Sequence, residues 1–76
     1  MKKYVAVDVY IDEDGALHPV CVHWDDGRRF EVQTVIEARR AASLKAGGTG
    51  IRYRCLICGQ ERFLYYEDPK WFVDVK

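Results

Sequence analysis

Val5, Val7, Val9 and Ile11 recur at every second position, with Tyr4, Ala6, Asp8 and Tyr10 between them. That period of two marks a half-buried strand. Asp12-Glu13-Asp14-Gly15 ends it. The turn resembles the opening of a calcium loop, but a third acid before the glycine is missing and the twelfth loop position falls on His23, so calcium is not expected.

A second strand is expected over residues 18–24 and a third over residues 28–33, joined by Asp25-Asp26-Gly27. Register follows from side-chain segregation, because a slip of one residue turns every side chain to the opposite face. A two-residue loop would pair His23 with Phe30 and Val22 with Glu31, mixing polar and apolar groups on both faces. A three-residue loop pairs Val22 with Phe30, Val20 with Val32 and Trp24 with Arg28, and gathers Cys21, His23, Arg29 and Glu31 outside. The second register is the consistent one, with Gly27 left-handed after a type I turn.

Residues 34–46 open with Thr34 three positions before Glu37, a capping-box spacing, and continue through alanine-rich helix formers to Gly47-Gly48. A short helix is the reading adopted. The competing reading, in which Val32, Val35 and Ile36 carry the third strand onward, rests on their β-branched side chains. Gly47-Gly48-Thr49-Gly50 reads as a loop, since a phosphate cradle would need a following Lys-Ser/Thr. Residues 51–58 and 61–67 form a hairpin about Gly59-Gln60, with glycine first as a type II′ turn requires. Its inner face holds Ile51, Tyr53, Cys55, Ile57, Leu64 and Tyr66, and its outer face Arg52, Arg54, Leu56, Cys58, Glu61, Phe63 and Tyr65. A last strand places Trp71, Val73 and Val75 inward. The expected fold is mostly β: a small SH3-like or OB-like barrel, or a strongly bent antiparallel sheet, of five to six strands with one short helix, in a single domain over residues 1–76.

Composition narrows the function. A 76-residue chain buries only about 60% of its unfolded surface, which leaves no depth for a large catalytic cleft. Apolar residues at 49% and aromatics at 13% argue for a folded chain. Twelve basic and twelve acidic residues cancel, but residues 8–26 hold six acids and no Lys or Arg, while residues 28–54 hold seven basic residues against Glu31 and Glu37. Such segments either steer a partner or offset one another across strands. Lys2 and Lys3 lead into an alternating stretch that meets Asp8, so neither a signal peptide nor a membrane span is expected and the cytoplasm is the expected location. Three cysteines then read as free thiols.

Cys55-Leu56-Ile57-Cys58-Gly59 has the form of a zinc knuckle, to which His18, Cys21 and His23 are the available further donors. Strand alternation sends Cys55 inward and Cys58 outward, Cys21 and His23 also face outward, and four ligands therefore do not converge. No metal or other cofactor is expected. Redox chemistry would want its first cysteine at a helix N-terminus, and neither histidine has a nucleophile to activate, so no catalytic residue is named. The remaining candidate site is Arg52, Arg54, Phe63 and Tyr65, where arginines and aromatics share one face as in sheet-based nucleic-acid binders. The bland alternative is that the helix covers this face and buries Leu56 and Phe63.

Trp24-x-x-Gly27-Arg28-Arg29-Phe30-x-Val32, Arg52-Tyr53-Arg54-Cys55-x-Ile57-x-Gly59, Leu64 and Trp71-Phe72-Val73 together resemble a family of small bacterial β-barrel proteins of unknown role. They also resemble a domain found fused to, or encoded beside, Y-family translesion DNA polymerases. That resemblance implies an accessory place in DNA repair, with nucleic acid or a DNA polymerase as partner and no catalytic residue to transfer. The expected function is a non-enzymatic binding module. The alternative is a protein-interaction or self-associating module, acting as a homodimer.

Overall fold

In the computed structural model, which describes residues 1–40 and 50–75, the alternating valines build the first of six strands. These are β1 (Lys2–Ile11), β2 (Leu17–His23), β3 (Arg29–Arg40), β4 (Ile51–Ile57), β5 (Gln60–Glu67) and β6 (Lys70–Asp74). Each pairs antiparallel with the next, and β6 returns to β1, so the sheet closes into a barrel. Closure covers most of the edge that short strands would otherwise expose. Inside, Val22, Tyr53, Cys55, Leu64 and Trp71 form the core, against which Val5, Val7, Val9, Val32, Val35, Ile57 and Val73 pack. The Tyr53 hydroxyl donates to the Leu17 carbonyl at 3.1 Å, which satisfies a phenol that would be costly to bury unpaired.

The β2–β3 hairpin has the three-residue register: Val22 opposes Phe30, His23 opposes Arg29, and the Trp24 N–H donates to the Arg28 carbonyl at 2.8 Å. Gly27 takes φ 92°, the left-handed corner the loop demands. The expected pairing of Val20 with Val32 is not found. Opposite β1 the register shifts, with Asp8 facing Cys21 but Val9 facing Pro19, and Val20 is left over and 47% exposed. The extra residue accompanies Pro19, which has no N–H to give a ladder.

The short helix requires correction. Residues 34–40 continue β3, and the rest of the expected helix, with most of the 47–50 loop, lies outside the described residues. The helical look of this segment has a physical cause. β3 carries two bulges against β4, at Gln33 and Ile36, so that Val32, Val35 and Ala38 oppose the inward Ile57, Cys55 and Tyr53. Each bulge adds one residue to the alternation, and two in succession space the inward side chains by three, close to the period of a helix.

The β4–β5 turn is also re-registered. Ile57 opposes Gln60, which makes Cys58-Gly59 the two central residues, with φ 52° and 74°. Two left-handed residues make a type I′ turn, whose twist suits the flanking strands. The change moves each pair by two positions, so both faces keep the expected membership while partners differ: Arg54 opposes Phe63 and Arg52 opposes Tyr65. Asp68-Pro69, a cis peptide, joins β5 to β6.

Candidate binding surface, groove and metal donors

Strand alternation on β4 and β5 sets all four expected site residues on the outer face, but their surroundings differ. The Arg52 guanidinium lies 4.9 Å from the centroid of Phe63, which is 42% exposed. Arg54 is enclosed by carboxylates: it donates to Glu61 at 3.3 Å, and its Nε, buried with no hydrogen-bond partner among the described residues, lies 3.9 Å from Glu37. Glu37 also accepts from Arg39 at 3.0 Å. Tyr65 is half-buried and stacks on Phe72, with centroids 4.8 Å apart and planes 5° from parallel. Phe72, only 4% exposed, is the residue that sequence reasoning missed on this face. Its position between the inward Trp71 and Val73 was the signal available for it.

Tyr4 meets the edge of Phe72 and Lys2 lies over its ring at 4.7 Å. Both also donate to Glu67, Tyr4 at 2.8 Å and Lys2 at 3.1 Å. The Tyr4 hydrogen bond, followed by that of Lys2, holds the Glu67 carboxyl below the usual carboxylate range. The outer face is therefore covered by its own side chains near β6 and β1, and stays open near Arg52 and Phe63.

A second feature lies at the mouth of the barrel. β5 pairs with β6 only through Tyr65, Tyr66 and Glu67. Beyond Phe72, β6 follows β1 instead, with Val73 opposite Lys3 and Asp74 opposite Lys2. Residues 60–64 and 73–75 consequently line a groove of about 700 Å³, whose apolar wall includes Val22, Trp24, Phe30 and Leu64. Arg28 and Arg62 also line it. Arg28 is paired with Asp26 at 2.7 Å, whereas Arg62 donates to the Gln60 amide oxygen.

The cysteines divide as expected for the Cys-x-x-Cys pair. Cys55 is fully buried in the core, and burial pushes its thiol up to about 11, while Cys58 is exposed in the turn. His18 is engaged elsewhere, its Nε2 2.8 Å from Asp12. Asp12 also accepts the N–H groups of Asp14 and Ala16, so this acid serves the β1–β2 turn. Its carboxyl is held low by His18 first and by the Ala16 N–H second. A different donor set does converge. Asp8, Cys21 and His23 bring their donor atoms within 4.8 Å of one another on the outer face of β1 and β2.

Comparison with protein-family models, with curated proteins and with solved structures returns no match.

Proposed function

We propose that the chain is a non-enzymatic protein-interaction module, and that its groove accepts an extended segment of a partner protein between β5 and β6. The observation that carries this reading is the parting of the two strands: β5 runs on for five residues, Gln60–Leu64, beyond its last pairing with β6. Backbone that has no ladder partner on that side among the described residues is a template for strand addition, in which main-chain hydrogen bonds give affinity and alternate side-chain pockets give selectivity. Val22, Leu64 and Val73 beside the groove suit alternate apolar side chains of such a segment. Arg62, held by an amide rather than a carboxylate, suits an acidic one.

The test is a titration of isotopically labelled protein with a blocked peptide of alternating valine and glutamate. Amide shifts concentrated at residues 60–65 and 73–75, with a change in Trp24 fluorescence, are expected, and Arg62→Glu weakens the binding. Absence of those shifts at millimolar peptide, or shifts spread evenly over the barrel, overturns the reading.

A second reading, nucleic-acid association with an accessory role in DNA repair, is favoured by the open Arg52–Phe63 pair. An exposed ring beside a guanidinium can stack a base while the cation meets phosphate. On this reading Arg52 and Phe63 do the work, and Arg54 and Tyr65 support them. Single-stranded DNA at low salt would shift Arg52 and Phe63, and Arg52→Glu would remove the effect. Unchanged spectra would exclude this face.

A further inference from the structure

We infer that Asp8, Cys21 and His23 form a three-ligand site for a divalent transition metal of zinc-like preference, on the opposite side of the hairpin from the groove. The sequence alone leads to no expected metal, because Cys55 and Cys58 face opposite ways and four ligands do not converge; this site uses neither of those two cysteines.

The site is built by register. Cys21 and His23 lie two apart on β2 and so project to one face, and the pairing of β1 with β2 sets Asp8 directly opposite Cys21. That alignment exists because the chain shifts by one residue between Asp8 and Val9. A bulge of this kind re-aims side chains, and here it moves Cys21 from the alternation of Leu17 and Pro19 onto the face of Asp8. The imidazole of His23 then reaches diagonally across the strands to within 2.9 Å of the Asp8 carboxylate.

Donor chemistry and exposure agree with that placement. Thiolate, imidazole and carboxylate are the ligands zinc accepts, at about 2.3, 2.0 and 2.0 Å. In a tetrahedron those lengths separate ligand atoms by roughly 3.3–3.6 Å, and the three donors already lie within 4.8 Å of one another, close to that spacing. Cys21 is 8% exposed, and its thiol has only a weak contact, at 3.9 Å, with the Val22 carbonyl. His23 and Asp8 have side chains 32% and 63% exposed. The soft donor therefore lies at the base with the harder, more exposed ones above it. On β3, Glu31 opposes Cys21 and Arg29 opposes His23, which places one charge of each sign beside the site. On binding, the metal takes the imidazole lone pair at Nε2 and replaces the thiol proton, which passes to solvent.

Cobalt(II) is the probe, because its bond to a thiolate gives a charge-transfer absorption that carboxylate or imidazole binding does not. The titration uses the full chain carrying Cys58→Ser, which removes the exposed thiol as a competitor. Binding of one cobalt per chain with that absorption, displaced by zinc, is expected. Cys21→Ser should abolish the band. Asp8→Asn and His23→Gln should each weaken binding by about tenfold or more, since even groups that merely orient ligands cost 10- to 100-fold. Circular dichroism checks the fold of each variant, and exposed Asp8→Asn keeps the test available should Cys21→Ser not fold. No band at equimolar cobalt in the micromolar range, or a band indifferent to Asp8→Asn and His23→Gln, overturns the proposal.

Discussion

Tyr65 lies flat on Phe72, 4.8 Å from centroid to centroid, and one face of the ring expected to stack a base is thereby occupied within the fold. Phe72 is 4% exposed although it points away from the barrel interior, so Tyr65 serves as part of its cover. Removing the ring in Tyr65→Ala should cost on the order of 2 kcal/mol, combining lost burial with a stacked pair worth about 0.5–1.5 kcal/mol. Tyr65→Phe keeps the stack and should stay within about 0.5 kcal/mol. Urea denaturation of the two variants decides it: equal stabilities would show that the ring covers nothing.

The left-handed Cys58 yields a second expectation. Its φ of 52° is one that Asn tolerates better than Cys, and Asn-Gly is the preferred pair for a type I′ turn. Cys58→Asn should raise stability by up to about 1 kcal/mol, whereas Gly59→Ala at φ 74° should lose about 1–2 kcal/mol. A Cβ at Gly59 meets nothing within 4 Å, so that loss is purely conformational. Thermal midpoints moving the other way would return the turn to Gly59-Gln60.

Much of the barrel was legible because alternation is local. Val5, Val7, Val9, Tyr53, Cys55 and Leu64 reveal their faces from spacing alone, and the β2–β3 register followed from keeping Val22 with Phe30. What was hidden comes from added residues and from distance in sequence. Bulges at Gln33 and Ile36 lengthen the repeat of β3 until it imitates a helix, and the β-branched Val32, Val35 and Ile36 are the local signal for the strand. The Gln33 side chain accepts the Gly59 N–H at 2.7 Å, tying that bulge to a turn 26 residues away. In the candidate site, Arg52 and Phe63 were readable as outward neighbours. The carboxylates around Arg54 and the ring beneath Tyr65 were not, because Glu37 and Phe72 arrive from β3 and β6. Asp8 was overlooked as a metal donor because its approach to Cys21 depends on the one-residue shift at Val20.

Register in the β2–β3 hairpin can be tested by substitution. Leu64 and Val22 are 1% and 3% exposed, while Glu31 is exposed on the opposite face. Leu64→Ala should cost about 2–5 kcal/mol and Val22→Ala on the order of 2 kcal/mol, with Glu31→Ala within about 0.5 kcal/mol. Equilibrium unfolding gives the ranking. A Glu31→Ala variant as damaging as Val22→Ala would mean that the faces of β2 and β3 are exchanged.

Cys55 supplies the pH dependence. Its thiol is buried among Val35, Tyr53 and Leu64, and desolvation raises it from an ordinary 9.0 to about 11 in the folded chain. Above the lower value the unfolded chain gives up this proton while the folded chain keeps it. The native state then binds more protons, and stability falls as pH rises. The loss from this group begins near pH 9, is complete near pH 11, and approaches about 2–3 kcal/mol at its full extent. Tyrosines and lysines titrate in the same window, so the measurement is a difference. Urea unfolding of the wild type and of Cys55→Ala is followed from pH 8 to 11. Cys55→Ala starts lower because it leaves a small cavity, and the gap between the two should narrow as pH rises. A gap that stays constant would show that the Cys55 thiol ionises as readily folded as unfolded.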